Sequence, residues 1–484
     1  MSRDSRPTTI AELRASGWRS RTVKEELRAN LLGRLAGGAE VLPTLIGYED
    51  TVLPAIENAI LAGHDMVLLG ERGQAKTRIA RLLVGLLDEW LPVVRGGDLN
   101  DDPFAPISPA AKAIVERDGD GAAIDWLPRE RRYAEKLATP DITIADLIGE
   151  VDPIKVAEGR YLSDELTLHY GLIPRANRGI VAINELPDLA ERIQVGLLNI
   201  LEERDVQIRG FTVRLPLDLY MVASANPEDY TSRGRIITPL KDRLGSQVRT
   251  HYPRSLEHEM AIVRQEKQRF VDPADRIVPG AGPVPAVVVP PFMEELVAEL
   301  THLARRSPEI SQRSGVSVRV SVANIEVLEA AALKRAVRLG EPLAAPRVSD
   351  LGAMVAATSG KVELESVGDD APEERVVERL ITKALYAVFT RRVDLDDLEP
   401  IVEAFDDGFT VETGERTPSR EYVAWANEVP GLDDAVERSG AFDVTDGAAE
   451  PAVVASAVEF LLEGLHLARR LNKERVVGGT VYHR

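Results

Sequence analysis

The sequence contains no cysteine, which removes disulfides, zinc-thiolate sites and thiol nucleophiles from consideration at the outset. No apolar run approaches the roughly 18 to 20 residues needed to cross a bilayer. The opening residues, Met1 to Arg6, are polar and offer no apolar signal region, so a cytoplasmic location and no membrane partner are expected. Aromatic residues make up only 5% of the chain, and its seven histidines are scattered. The closest pair, His251 and His258, lacks the spacing that puts two ligands on one helix face. No transition-metal centre is expected.

What is present reads as a helix-rich globular protein. At 484 residues, with 44% hydrophobic and 28% charged content, the chain is too long for one ordinary core and implies two or three packed domains. Its 59 basic and 78 acidic residues leave a net charge of −19. That balance disfavours broad, nonspecific nucleic-acid binding and favours protein partners.

Along the chain, residues 1–40 read as a helical leader. From about Leu45, helical patterns alternate with short apolar runs, Met66 to Leu69, Ile180 to Ile183 and Leu219 to Ala223, which predicts an α/β unit with a parallel sheet over residues 41–255. After Pro253 amphipathic helices take over, at Leu256 to Phe270, Phe292 to Arg306, Val320 to Leu339, Val348 to Thr358 and Glu373 to Arg391. Residues 256–393 therefore read as a helical lid, interrupted by a Pro- and Gly-rich connection from Asp272 to Pro291. Residues 394–484 read as a C-terminal accessory segment. It is acidic at first, turn-rich around Val429 to Gly447, and helical from Val453 to Leu471.

Five motifs carry chemistry. The first is Gly70-Glu71-Arg72-Gly73-Gln74-Ala75-Lys76-Thr77, between an apolar run and a helical pattern. Phosphates need inward-facing backbone N–H groups, a helix N-terminus, a lysine for the β and γ phosphates and a hydroxyl for Mg²⁺. Lys76 and Thr77 supply the last two, although Ala75 stands where glycine is usual. The plain alternative is a strand-to-helix turn. The second motif is the strand end Asn184-Glu185, where a carboxylate lies at the ligand-binding edge of a parallel sheet. Glu185 is a candidate to polarise the attacking water, and Asn184 to meet Mg²⁺ through its water shell. A solvated strand end is the alternative.

The third is Ala223-Ser-Ala-Asn226-Pro227, which brings an amide towards the γ-phosphate. The fourth is Pro239-Leu-Lys-Asp242-Arg243, whose guanidinium would reach a neighbouring subunit's nucleotide or form a structural salt bridge. The fifth is Gly315-Val-Ser-Val-Arg319, a candidate bridge from the lid to the γ-phosphate, or a surface arginine at a helix start. The acids Asp98, Asp101 and Asp102 sit in a turn-rich stretch and read as solvated loop residues.

In this order and spacing, the motifs resemble the AAA+ ATPases, over roughly Leu45 to Arg391. Within that class they resemble the branch of the magnesium chelatase ATPase subunit and the MoxR-type chaperones. Gly-x-x-Gly-x-Ala-Lys-Thr is the form of loop common in MoxR-type proteins, so Ala75 no longer counts against nucleotide binding. Asp146 to Pro153 and Gly171 to Gly179 look like the chelatase subunit ahead of its acidic strand.

The resemblance implies an αβα core with a parallel sheet, a helical lid, and ATP with Mg²⁺ as cofactors. It assigns Asn226 as first sensor, Arg243 as arginine finger and Arg319 as second sensor. It also implies a homo-hexameric ring that remodels or activates a client protein, often one with a von Willebrand factor A domain. Asn184 departs from the family's aspartate, which bears on hydrolysis more than on binding. The stretch Val195 to Arg209 also looks like activators of sigma-54-dependent transcription. Their Gly-Ala-Phe-Thr-Gly-Ala loop is missing, and no helix-turn-helix is found at either end. Three readings follow: an ATP-driven remodelling motor, a nucleotide-gated assembly module with little hydrolysis, and a true magnesium chelatase subunit.

Overall fold

The computed structural model describes residues 6–151, 168–202, 205–208, 211–227, 235–268, 277–278, 282–311, 315–364, 372–442 and 450–484. The chain forms two compact units, Met1–His251 and Tyr252–Arg484.

The first unit is built on five parallel strands, β1 (Met66–Leu69), β2 (Tyr133–Leu137), β3 (Gly179–Asn184), β4 (Leu219–Ala225) and β5 (Ser246–Arg249). They lie side by side in the order β5-β1-β4-β3-β2. β1, β3 and β4 are buried along their whole length, which explains why they read as continuous apolar runs: a parallel sheet is covered on both faces.

Alternation then divides the side chains. Val67, Leu69, Val181, Ile183, Met221 and Ala223 enter one core, with the helix Glu191–Glu202. Met66, Leu68, Ile180, Ala182, Tyr220 and Val222 enter the other, with the helices Val23–Ala36, Val52–Leu61 and Lys76–Leu82. The result is the three-layer α/β core expected from the sequence.

The leader is part of this unit. Its helix Val23–Ala36 begins with a capping box between Thr22 and Glu25 and buries Val23, Leu27 and Leu31 against the sheet. Glu26 accepts two hydrogen bonds from buried Arg132, at 2.6 and 2.7 Å. The expected boundary at residue 40 therefore does not coincide with a break in the core.

The second unit is helical, with its longer helices at Leu256–Glu266, Pro291–Arg306, Val318–Leu339, Glu373–Arg392 and Pro451–Leu467. These starts agree closely with the sequence reading. Of the Pro- and Gly-rich connection, residues 272–276 and 279–281 lie outside the described residues, and Ala286–Val287 pairs in parallel with Leu343–Ala344.

The segment from 394 onward shares one apolar cluster with the helices before it. Helix Pro451–Leu467 is buried from Ala452 to Leu465, and Phe460 stacks on Phe292 with centroids 4.4 Å apart. Its two carboxylates are provided for: Glu459 accepts from Tyr422 Oη at 2.5 Å and the Ser349 N–H at 2.7 Å, and Glu463 from Lys473 Nζ at 2.5 Å and Tyr482 Oη at 2.6 Å. A three-stranded antiparallel sheet, Val411–Gly414, Gly479–His483 and Asn472–Val476, completes the unit. Its short, polar strands gave no apolar alternation to read.

Because Phe460 lies inside a core that the C-terminal segment shares with the lid helices, Phe460→Ala is expected to destabilise the second unit by about 3–5 kcal/mol. Chemical denaturation of the intact chain measures this. A loss under about 1 kcal/mol, the scale of an ordinary surface change, would show that the C-terminal helix packs independently.

Candidate nucleotide site

The phosphate loop joins β1 to the helix Lys76–Leu82 and is fixed where it leaves the strand. The Gly70 N–H donates to the Ala225 carbonyl at 3.1 Å and the Thr250 N–H to the Leu69 carbonyl at 2.8 Å. A Cβ on Gly70 would lie 1.8 Å from Thr250 Oγ1 and 2.2 Å from Gln74 Oε1. Only glycine fits there.

Gln74, buried within the loop, accepts through its side-chain oxygen from the Glu71 N–H at 3.0 Å and from Thr250 Oγ1 at 2.9 Å. Tyr48 Oη donates to the Gln74 carbonyl at 3.0 Å. Tyr48 and Thr250 thus both hold the loop at Gln74, a role no sequence pattern announced. Gly73 and Ala75 both have positive φ, +77° and +54°. The position where glycine is usual does require the left-handed region, and alanine tolerates it at a cost of about 1–2 kcal/mol.

Lys76 is 7% exposed. Its ammonium donates to the carbonyls of Gly70 and Glu71 and, at 2.6 Å, to Asn226 Oδ1. Asn226 Nδ2 in turn donates to Glu185 Oε2 at 2.8 Å. Register explains the alignment. Leu69 pairs with Ala225 and Ile183 with Ala223, so the residues just past β1, β4 and β3 come together at one sheet edge. A cation on one side and a carboxylate on the other leave the Asn226 amide only one orientation.

Glu185 follows Asn184 in the left-handed region, with φ +56° and ψ +48°. Its N–H donates to Ser224 Oγ at 3.1 Å. Non-glycine residues rarely hold this conformation, and those that do concentrate at functional sites.

Of the remaining candidates, Thr77 sits half-buried in the first turn of its helix, and Arg72 is exposed. Asn184 is buried. Arg243 is 3.9 Å from Glu202, with both side chains about half exposed. Such a pair contributes under about 1 kcal/mol, so the guanidinium is not committed to it. Arg319 belongs to the second unit, exposed in the first turn of helix Val318–Leu339, its N–H accepted by Ser317 Oγ at 3.2 Å. Of the sigma-54-like stretch, residues 203–204 and Arg209 lie outside the described residues, as do Asp152 and Pro153 of the chelatase-like stretch.

One expectation is corrected. Asp101 is not a solvated loop acid but fully buried, accepting from the N–H groups of Ile107 and Ser108 at 2.8 and 2.7 Å and from Ser108 Oγ at 2.7 Å. It organises the turn that starts helix Pro109–Asp118.

If strain at Glu185 serves the site, Glu185→Asn should relieve it, since asparagine is enriched in the left-handed region. The variant is expected to gain up to about 1 kcal/mol in denaturant unfolding while losing any nucleotide turnover. A loss of stability would show that the bond to Asn226 outweighs the backbone strain.

Comparison with known proteins adds two kinds of relative. A family model described as the Sigma-54 interaction domain matches residues 157–246. The magnesium-chelatase 38 kDa subunit of Rhodobacter capsulatus is 28% identical over 256 residues, covering 49% of this chain and 65% of that protein. The magnesium-chelatase subunit ChlI of a Nostoc species is 26% identical over 272 residues, covering 55% and 64%. The chain thus spans just under two thirds of the length of these relatives.

Among solved structures, a complex of the magnesium chelatase subunits BchI and BchD superposes with TM-score 0.35 at 20% identity, covering 70% of this chain and 97% of that one. NtrX from Brucella abortus bound to ATP gives TM-score 0.39 at 15% identity, covering 75% and 66%. Superpositions this loose support no residue-by-residue correspondence. In sequence the chain is thus similar to the magnesium chelatase subunits over about half its length, in keeping with the AAA+ resemblance of its motifs.

Proposed function

We propose that this chain binds ATP with Mg²⁺ and hydrolyses it to ADP and phosphate, using the cycle to remodel or activate a partner protein. The observation that carries this reading is the hydrogen-bonded series Lys76, Asn226, Glu185 at the ends of three adjacent parallel strands. An ammonium group, an amide and a carboxylate thus lie along one edge, and this supports a reading in which they serve phosphoryl transfer to water.

In this mechanism the backbone N–H groups of Gly70 to Lys76 and the helix N-terminus cradle the phosphates. Lys76 exchanges one of its present acceptors for a phosphate oxygen. Glu185 accepts a hydrogen bond from the attacking water and takes its proton as the oxygen bonds to the γ-phosphorus and the bond to the β-phosphate oxygen breaks. Asn226 holds Glu185 in place, and Arg243 of one subunit stabilises charge at its neighbour's γ-phosphate. Arg319 enters as second sensor by the resemblance alone.

The donor set fits a nucleotide-borne Mg²⁺. Among the described residues no three His, Asp or Glu converge as a metal cage, and Mg²⁺ in such sites keeps its waters and phosphates and needs one or two protein groups. Thr77 and Asn184 would be those groups. When bound, the ion would offset the negative charge of the phosphates.

Assembly as a homo-hexamer and a client carrying a von Willebrand factor A domain follow from kinship alone and belong to the same proposal. So do MoxR-type chaperone activity and service as a magnesium chelatase subunit. Among the described residues, no helix is long and apolar enough to cross a membrane. The uncharged Asn184 favours one alternative, an assembly module gated by nucleotide with little hydrolysis.

Steady-state ATP hydrolysis with Mg²⁺ separates these readings. Turnover is expected in the purified chain, with Lys76→Ala losing nucleotide binding. Glu185→Gln should keep binding but lose roughly 10²- to 10⁴-fold in rate, the usual contribution of a general base. Tight binding without turnover would leave the gated module standing, and no binding at all would overturn the proposal.

A further inference from the structure

Asn184 stands where the related family carries an aspartate, and the structure supplies a reason. Its Nδ2 donates to Glu135 Oε1 at 2.8 Å. Glu135 lies on the neighbouring strand β2, pairing in register with Ala182, so that its side chain falls on the same face of the sheet as Asn184. The carboxylate is held from three directions. Arg81 binds both of its oxygens, at 2.8 and 3.1 Å, and Tyr133 Oη donates at 3.0 Å.

Arg81 lies one turn beyond Thr77 on the phosphate-loop helix, on the same side of it. With Arg81 donating to both of its oxygens, Glu135 faces Asn184 as an acceptor. An acceptor next to an amide settles the amide's orientation: nitrogen towards Glu135, oxygen away from it. The oxygen lies 3.5 Å from Ser224 Oγ, the same hydroxyl that accepts the Glu185 N–H.

We infer that Glu135 is a positioning residue for the nucleotide site, and that Asn184 and Glu135 form a matched pair doing together what a lone aspartate does elsewhere. Glu135 holds the amide so that Asn184 presents only its acceptor oxygen to the water shell of Mg²⁺. Arg81 ties the pair to the helix that carries Lys76 and Thr77. This reading reverses the simple expectation that restoring an aspartate at 184 would improve the site. An aspartate there would set a carboxylate oxygen where the amide nitrogen now donates, facing the Glu135 oxygen with no hydrogen between them. The inference rests on the nucleotide-site reading above.

The test is a swap. Affinity for a fluorescent ATP analogue is measured in full-length protein with Mg²⁺ and with EDTA, along with the Mg²⁺ concentration at half-effect and the melting temperature. The variants are Asn184→Asp, Glu135→Gln and the two combined.

Asn184→Asp alone is expected to raise the half-effect Mg²⁺ concentration or lower Mg²⁺-dependent affinity at least ~10-fold. In the double variant the amide and the carboxylate exchange strands and can still hydrogen-bond to each other, so it is expected to return to within ~3-fold of the parent. If Asn184→Asp folds poorly, recovery of its melting temperature by Glu135→Gln reads the same pairing. Asn184→Asp matching or exceeding the parent would overturn the inference. So would a double variant no better than Asn184→Asp alone, since an independent salt bridge at Glu135 predicts additive losses. A parent chain that binds no nucleotide would instead defeat the function proposed above.

Discussion

A buried ammonium group must be surrounded by acceptors, and much of the first unit is organised around that requirement at Lys76. Leaving such a charge unpaired away from water costs several kcal/mol. The Gly70 and Glu71 carbonyls and the Asn226 amide oxygen meet it. Those acceptors converge only because β1 and β4 are adjacent and parallel with their ends level. Parallel adjacency in turn requires helical crossovers on both faces, which is why the strands are wholly apolar and why the leader helix is needed to cover part of one face.

The second unit meets a comparable constraint differently. Helix Pro451–Leu467 runs through the core, so its polar residues had to be satisfied by neighbours from elsewhere in the sequence. Glu459 draws on Ser349 and Tyr422, and Glu463 on Lys473 and Tyr482. Burial pushes both tyrosine hydroxyls well above their usual range, so they remain neutral donors to the carboxylates. Removing either partner would leave a buried charge without its hydrogen bonds, a larger loss than the bond itself is worth. Of these bonds the one from Ser349 ties the C-terminal segment to residues before 394, and the others hold that segment together.

Some of this was legible in the sequence and some was not, for identifiable reasons. β1, β3 and β4 announced themselves as apolar runs because they are buried on both faces. β2, Tyr-Ala-Glu-Lys-Leu, did not: it is an edge strand whose residues are half-buried or exposed, and it carries Glu135. Glu185 and Asn226 were picked out because each lies just past an apolar run, and Lys76 because it closes the glycine-bearing loop that follows one. Tyr48 and Thr250, which clamp the loop at Gln74, were missed because their partnership with it joins residues up to 176 apart in sequence. Asp101 was misread because an acid in a turn-rich stretch is usually solvated, whereas this one accepts a set of backbone N–H groups. The short strands after residue 410 were missed because hydrogen bonding, not apolar alternation, defines them.

The places where local rules fail are also informative. Ala75 and Glu185 both occupy left-handed backbone without being glycine, and Asn184 replaces a charge with an amide. All three lie at the sheet edge where Lys76 and Asn226 meet. A fold tolerates such departures when surrounding contacts over-determine the geometry. The contacts are present here: Tyr48 and Thr250 around the loop, Ser224 under Glu185, and Glu135 with Arg81 beside Asn184. Taken singly, Asn184 looks like a damaged motif. Taken with the strand beside it, it is the neutral half of an amide–carboxylate pair, and the chemistry of the position belongs to both residues.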